Sequence, residues 1–260
     1  MADGRYVLPG DTVLLAGGAV CGVSAAIAVS AAVGARKEHT SIAITLVILW
    51  AIVMIFVLPL VSRLLGLHAG VAGAWIGTSE FADAAGLAAA QAYGNLAETL
   101  PEIEGTTEEA VHTFTLMKVV GRDIWIGIWA LVLSIIATTR WETEGRAARP
   151  DLAQVWWRFP KFVIGFFIAS LLVTLIASGY SMADFEQKVK PELITPIKTL
   201  RTWAFIFCFF SIGLTTRFRE LAATGTRPFL AFTAGVAINV VIGYLLSVHV
   251  FSEEWTSLSR

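Results

Sequence analysis

The chain has 260 residues, of which 56% are hydrophobic and 15% are charged, and its formal net charge at pH 7 is −1. Soluble domains carry about 25% charged residues, so this composition indicates an integral membrane protein. A net charge close to zero argues against a nucleic-acid-binding protein, because such proteins carry a basic excess.

About seven segments are apolar enough to be candidate membrane helices, which need about 20 apolar residues each. In chain order they are residues 12–34, 41–66, 70–94, 111–139, 159–179, 200–217 and 228–250. The sequence therefore predicts an all-α, polytopic membrane bundle. No linker is long enough to separate domains, so we expect residues 1–260 to form a single membrane domain.

The first segment, residues 12–34, consists largely of Gly, Ala and Ser. Gly18 and Gly22 surround Cys21, and Ser24 follows. One interpretation is ordinary close packing of helices through glycine. The other is an unwound backbone, whose free amide N–H groups at a half-helix end would attract an anion.

The third segment, residues 70–94, is also rich in small residues, and it carries Glu80 and Asp83. An acid at bilayer depth costs a few kcal/mol, so one interpretation is an amphipathic surface helix outside the membrane. However, no other residue between Gly73 and Tyr93 is charged, which favours a discontinuous membrane helix whose acids face a polar cavity. Two interrupted segments of this kind point to the substrate site of a secondary transporter.

Lys118 and Arg122 lie four residues apart in the segment 111–139, and Asp123 follows. Such cations could bind a substrate anion or pair with Glu80 or Asp83. Alternatively, the span begins at residue 124 and these charges belong to the outer interface, where long side chains reach water. The sequence leaves both alternatives open.

The loops predict an orientation. Arginines are concentrated in residues 140–158 and 217–227, whereas residues 95–110 contain five glutamates and no Lys or Arg. By the positive-inside rule the two basic loops are cytoplasmic and the acidic one is external. Residues 180–199 and the C-terminus then lie outside. The basic pair at residues 36–37 is also external if the first three segments all cross, which is an exception to the rule.

Motifs for catalysis are absent from the sequence. No Walker loop, nucleophile elbow or zinc motif occurs, and the four histidines include no pair at metal-ligand spacing. We therefore expect neither an enzyme nor a bound cofactor or metal. In the last segment, Asn239 and Thr233 are interpreted as hydrogen-bonding groups between helices.

Several motifs resemble the YeiH-type family of membrane proteins, for which sulfate export is the suggested function. AVCGVSAAIAV, residues 19–29, resembles the family's S-I-C-G-A-S-A-I-A signature. SIGLTTRFREL, residues 211–221, followed by TRPFL, residues 226–230, resembles its I-G-L-G-T-R-L-R-D-L and W-R-P close. GAWIG, residues 73–77, matches the approach to the second family signature.

The chain departs from that family at two motifs. Residues 81–85 read FADAA where the family has H-D-T-A-Q, so the acid at Asp83 is displaced by one position and the histidine is missing. Lys118 and Arg122 resemble the family's K-L-T-R pair but are one residue wider. The chain resembles the later two-thirds of a longer transporter. The resemblance leaves three alternatives: half of a split system, a fragment, or a shortened member that oligomerises. We expect a homo-oligomer or an N-terminal partner subunit.

The resemblance implies a multi-pass secondary transporter in the lipid bilayer of a prokaryotic inner membrane, carrying sulfate or a related sulfur oxyanion. The expected substrate-binding residues are Gly18, Gly22, Ser24, Lys118 and Arg122. Glu80 and Asp83 would bind a coupling proton or cation, or pair with the basic residues. The alternative is a protein that does not transport by itself: a membrane scaffold, a regulatory subunit, or one half of a split transporter.

Overall fold

The computed structural model describes residues 9–137, 161–181, 184–215 and 226–258. These residues are helical and form two compact units. The first unit comprises residues 9–137 and 226–258, and the second comprises residues 161–181 and 184–215. The basic loop 140–158 and most of the basic loop 217–227 lie outside the described residues. The single membrane domain stays a prediction.

The elements are named in chain order. They are α1 Pro9–Ala19, α2 Val23–Val33, α3 Lys37–Leu64, α4 Ala69–Ser79, α5 Asp83–Thr99, α6 Thr107–Thr115, the π-helix π1 Leu116–Asp123, α7 Trp125–Ile136, α8 Lys161–Ser178, π2 Phe185–Ile194, α9 Thr195–Thr215, α10 Thr226–Tyr244, π3 Leu245–Val250 and α11 Ser252–Ser257. Helices α8 and α9 correspond to the predicted segments 159–179 and 200–217.

Three of the described helices are long and apolar enough to cross a membrane. They are α3, the continuous run Thr107–Ile136 formed by α6, π1 and α7, and the run Thr226–Val250 formed by α10 and π3. The segments Val23–Val33 and Phe167–Ser178 are apolar but shorter. These helices confirm the prediction of an all-α membrane bundle.

The first small-residue segment breaks at residues 20–22 and folds back on itself. A Cβ added at Gly17 in α1 would lie 3.7 Å from the Cβ of Ala26 in α2. Residues nine apart in a straight helix are about 13 Å apart, so α1 and α2 form a hairpin. At the other end of α2, the hydroxyls of Ser30 and Thr40 share a hydrogen bond, which places that end beside the start of α3.

Helix α4 packs along α6 through glycines. Gly73 lies against the Ala110 carbonyl, and a Cβ added at Gly77 would lie 2.9 Å from the Phe114 carbonyl oxygen. From the first contact to the second, the residue number rises by four in both helices, from Gly73 to Gly77 and from Ala110 to Phe114. Helices α4 and α6 therefore run in the same direction. Ten of the eleven residues of α4 are buried, which excludes the interpretation of this segment as a surface helix.

Helix α5 runs the opposite way. Gly94 lies against Thr107 near the start of α6, whereas a Cβ added at Gly86 would lie 2.5 Å from the ring of Phe114 near its end. Because α4 is parallel to α6 and α5 is antiparallel to it, α4 and α5 form a second hairpin. Its turn lies at residues 80–82.

The predicted breaks in the two small-residue segments are therefore confirmed, and the chain folds back on itself at each of them. Since each hairpin returns to the end from which it enters, α3 and α6–π1–α7 connect the two ends of the first unit. The α1–α2 hairpin occupies the end at which Lys37 lies, and the α4–α5 hairpin occupies the end at which Leu64 lies. Residues 36–37 then share an end with Ile136, which leads into the basic loop 140–158, and the exception to the positive-inside rule disappears.

Helix α10 packs against both hairpins. Phe232 contacts Phe81 edge to face at 5.7 Å between ring centroids, near the middle of the unit. Further along the helix, Tyr244 contacts Trp75 of α4 at 5.3 Å. Helix α10 therefore runs from the Lys37 end towards the Leu64 end.

Candidate functional site

The tips of the two hairpins meet in the interior of the first unit. Gly22, in the first tip, has a φ of 66°, a conformation that glycine adopts without a steric penalty. A Cβ added there would lie 2.7 Å from Val47 and 3.0 Å from the Phe81 carbonyl oxygen in the second tip. Glycine is required at this position because the backbones of the two hairpins approach so closely.

Lys118 joins the two tips. Its Nζ donates hydrogen bonds to the carbonyl of Val20 in the first tip at 3.2 Å and to the carbonyls of Glu80 and Phe81 in the second tip at 3.1 and 2.9 Å. The Lys118 side chain is 0% exposed. It projects from π1, near the middle of the run Thr107–Ile136, and π-helical segments often occur at functional sites.

Arg122 binds the second tip alone. Its guanidinium donates to the carbonyls of Thr78 at 2.6 Å and Glu80 at 3.1 Å, and it lies 6.0 Å from the centroid of the Phe81 ring. The last carbonyls of a helix lack partners within the helix, and cations are favourable at that end. Lys118 and Arg122 therefore act here as C-terminal caps.

The buried carboxylate of Glu80 binds backbone amides of its own turn, in the second tip. Its Oε1 accepts hydrogen bonds from the backbone N–H groups of Phe81 and Ala82 at 2.9 and 3.1 Å. Glu80 is 0% exposed, and among the described residues its Oε2 has no hydrogen-bond partner. Glu80 is thus part of the turn and stabilises the start of α5.

Two further carboxylates face Lys118. Asp83 approaches its Nζ to 3.4 Å and is 41% exposed, whereas Asp123 approaches it to 3.8 Å and is 16% exposed. The pairing of Lys118 with Asp83, one of the alternatives that the sequence left open, is the arrangement in this structure. Substrate binding by Lys118 and Arg122 stays a prediction, as does the coupling role of Glu80 and Asp83.

The remaining predicted residues divide between two places. Gly22 precedes α2, which has no side-chain cap, and Ser24 is exposed in the first turn of that helix. Gly18 lies inside α1 and not at the break. A Cβ added at Gly18 would lie 3.3 Å from the Phe232 ring. It lines a largely apolar cavity of about 290 Å³ between α1 and α10.

Helix α10 is joined to α4 by side-chain hydrogen bonds. The sequence predicted such bonds between helices but not their partners. The Asn239 side chain donates to the Thr78 carbonyl at 3.1 Å, and Trp75 donates to the Val240 carbonyl at 3.0 Å. The interpretation as a hydrogen-bonding group between helices is confirmed for Asn239 and is wrong for Thr233, whose buried hydroxyl has no hydrogen-bond partner among the described residues. The backbone carbonyls of Val20 and Phe81 were missed, since a main-chain acceptor leaves no signal in a sequence.

No cluster of three or more His, Cys, Asp or Glu side chains that could hold a metal ion occurs within the described part of the chain. The site consists of carbonyls at helix ends, two cations and three carboxylates. Lys118 and Glu80 are buried, and Asp83 lies at the exposed edge. The fold and this site define a polytopic helical membrane protein in which two helical hairpins meet at their tips.

A comparison with protein-family models identifies the family of this membrane protein. The family described as Conserved hypothetical protein 698 matches residues 7–232. The chain belongs to this family. No solved structure matches it.

Similar proteins are described as UPF0324 membrane proteins. One from Rhodopirellula baltica is 32% identical over 248 residues, which cover 93% of this chain and 42% of the relative. One from Nitratidesulfovibrio vulgaris is 34% identical over 245 residues, which cover 90% of this chain and 39% of the relative. The chain thus spans about two fifths of the length of these curated relatives. Their descriptions support a membrane protein and name no substrate.

Proposed function

We propose that this chain is a secondary transporter for a small inorganic anion in the cell (inner) membrane. Sulfate or a related sulfur oxyanion is the first candidate, from the resemblance stated above. The observation that carries the proposal is the meeting of two re-entrant hairpin tips, joined by Lys118, in the middle of the first unit. Broken helices that meet near the midplane form substrate and ion sites in secondary transporters.

The electrostatics of the helix ends support an anion as the substrate. The carbonyls that end α1 and α4, which carry partial negative charge, are covered by Lys118 and Arg122. The start of α5 is occupied by the Glu80 carboxylate. The start of α2 has no side-chain cap, so its amides and the exposed Ser24 hydroxyl offer the anion a binding surface.

The arrangement also suits alternating access. Each hairpin extends from one end of the unit to the middle, so a substrate held at the tips is separated from each end by one hairpin. Displacement of either hairpin would open the site to one side while the other side stays closed. Asp83, which is half-exposed beside Lys118, is the candidate group for a coupling proton or cation.

Flux into liposomes tests the proposal. The purified protein should carry radiolabelled sulfate, sulfite or thiosulfate faster than protein-free liposomes do, and a pH gradient should change the rate. Liposomes that contain the Gly22→Ala variant serve as a matched control with a disturbed junction. If none of the three anions crosses, with or without the gradient, the proposal of an autonomous transporter is wrong.

The alternative candidate is one half of a split transporter, inactive without a partner subunit, or a scaffold or regulatory subunit. The observation that favours a partner is that the chain covers 42% and 39% of the two relatives above. Co-expression with the product of a neighbouring gene, or assembly as a homo-oligomer, would restore flux in the split case. A scaffold would stay inactive under every condition.

A further inference from the structure

The surroundings of the Lys118 ammonium have the composition of a cation-binding site. An ammonium has three N–H donors, and three backbone carbonyl oxygens lie 2.9 to 3.2 Å from Nζ. These are normal lengths for such hydrogen bonds. The carboxylates of Asp83 and Asp123 lie just outside, at 3.4 and 3.8 Å. The side chain is 0% exposed, so the protein supplies the whole environment of this charge.

The carbonyls come from the two helix breaks. Val20 follows the last residue of α1, and Glu80 and Phe81 follow the last residue of α4. In transporters with broken helices, unwound carbonyls and half-helix C-terminal ends coordinate the coupling cation. We infer that the junction of the two hairpins is a monovalent-cation site whose permanent occupant is the Lys118 ammonium, so that the junction takes no sodium ion from solution.

This inference assigns Lys118 a role as a positioning residue. All three of its donors are directed at backbone carbonyls in this structure, so the predicted binding of a substrate anion by Lys118 would require one of these hydrogen bonds to break. Lys118 bridges both tips, whereas Arg122 binds carbonyls of the second tip alone. Lys118 therefore sets the distance between the hairpins, and Arg122 provides the comparison of a partly buried cation that does not bridge them.

The energetics follow from the coordination. Burying an ammonium without partners is very costly, and here the carbonyls and carboxylates compensate for the lost hydration. Removing the ammonium leaves those oxygens buried without a donor, which is strongly destabilising. A free cation of the same shape should then bind to the vacated site and restore stability, because a ligand that binds only the folded state raises the unfolding temperature.

The test uses Lys118→Ala, which deletes the part of the side chain that n-propylammonium reproduces. We expect the thermal midpoint of the detergent-purified variant to fall by about 6–20 °C. Added n-propylammonium should raise the midpoint again, and n-propanol, which has the same size and no charge, should not. Lys118→Met fills the space with an uncharged chain, so its midpoint should fall without responding to n-propylammonium.

Wild-type protein supplies the second measurement. Its midpoint should be equal in sodium chloride and choline chloride at matched ionic strength. The inference is wrong if Lys118→Ala is as stable as wild type, if n-propanol rescues it equally, or if sodium selectively stabilises the wild-type protein. If Lys118→Ala is recovered only when n-propylammonium is present throughout purification, that result supports the site. Failure to recover it in n-propylammonium, while Lys118→Met is recovered, contradicts it.

The consequence for transport rests on the proposed function. Flux by the wild-type protein should be unchanged when choline replaces sodium on both sides of the liposome membrane. A flux that requires sodium would overturn the inference. An absence of flux under every condition would instead count against the proposed function, and the stability measurements would still decide whether the ammonium fills a cation site.

Discussion

The two re-entrant hairpins are similar in plan but differ in how their tips are held. At the α4–α5 tip, Glu80 binds the amides of the turn, and Lys118, Arg122 and Asn239 bind the carbonyls that end α4. Almost all of α4 is buried between its neighbours. This hairpin is therefore anchored by side chains from three elements.

The α1–α2 tip depends on backbone conformation instead. Its turn is made by Gly22 with a positive φ, α2 has no side-chain cap, and Ser24 is exposed. Among the described residues, Lys118 provides the side-chain hydrogen bond to a carbonyl of this tip. In the proposed transporter, the α4–α5 tip would be the fixed side of the junction, and the α1–α2 tip would be the side that receives substrate and moves.

The largest expected effect is on the side of the membrane from which single cysteines are labelled. It tests whether each hairpin begins and ends on the same side. Single cysteines at Lys37, Glu102 and Ala147, in a background with Cys208→Ala, are to be labelled with a membrane-impermeant maleimide. We expect Lys37→Cys and Ala147→Cys to react from the same side and Glu102→Cys from the opposite side. The remaining Cys21 is 5% exposed, so the background protein should not react and serves as the control.

A topology in which all segments cross gives a different result. In that case the turn at Lys37 and the loop at Glu102 would be labelled from the same side. That outcome would show that the hairpins cross the membrane, and the comparison between two re-entrant tips would no longer apply.

The next effect tests the close approach at the α1–α2 tip. Gly22→Ala places a side chain at φ 66° and ψ −113°, a sparsely populated conformation that costs about 1–3 kcal/mol, and presses a Cβ against Val47 and the Phe81 carbonyl, which adds about 1–3 kcal/mol. Gly66→Ala is the matched control, because Gly66 has a φ of 59° but no atom within 4 Å of an added Cβ. Gly66→Ala should lower the free energy of unfolding only by the cost of the backbone conformation, without the steric cost.

Thermal unfolding followed by tryptophan fluorescence measures both variants. The midpoint of Gly22→Ala should fall clearly below that of Gly66→Ala. Equal midpoints for the two variants would mean that the tips are not in contact at Gly22, and the junction as described would be wrong.

The acids of the α4–α5 tip distinguish a transport role from a structural one. Asp83→Asn should insert and fold but lose most of its flux or the pH dependence of that flux, because Asp83 is half-exposed beside Lys118. Glu80→Gln should have a milder effect, since the amide oxygen can still accept from the amides of Phe81 and Ala82. Flux is to be normalised to inserted protein. Wild-type flux and pH dependence in Asp83→Asn would remove Asp83 from the coupling mechanism.

Parts of this arrangement could be predicted from the sequence, and the reasons are physical. The glycines and alanines of residues 12–34 and 70–94 predict backbone breaks and close packing, and both breaks occur. Lys118 and Asp83 were candidates for an ion pair because charges in an apolar chain need partners. A helix break is indicated in the sequence by a cluster of small residues, and a buried ion pair by charged residues in apolar segments.

The direction of the chain after each break could not be predicted in this way. A helix that continues and a helix that folds back have the same small residues at the break, and the difference lies in contacts such as Gly17 with Ala26. The partners of Lys118 were hidden for a related reason. Its main acceptors are carbonyls of Val20, Glu80 and Phe81, and every residue has a carbonyl, so the sequence does not identify which ones are free.

The smallest expected effect concerns Ser24, the exposed hydroxyl at the start of α2. If the α1–α2 tip receives the anion, Ser24→Ala removes one hydrogen bond to it, and a hydrogen bond to a charged group contributes about 1.5–3 kcal/mol. The Michaelis constant for the transported anion should therefore rise by about tenfold or more, while the thermal midpoint should change little, because the Ser24 side chain is exposed and its hydrogen bond is local, to Cys21 in the same tip. Ile27→Ala, one turn further along α2 and 50% exposed, is the matched control and should leave both quantities unchanged. A Michaelis constant for Ser24→Ala equal to that of the wild type would exclude this hydroxyl from the anion site, and the anchored tip would then have to supply the binding groups.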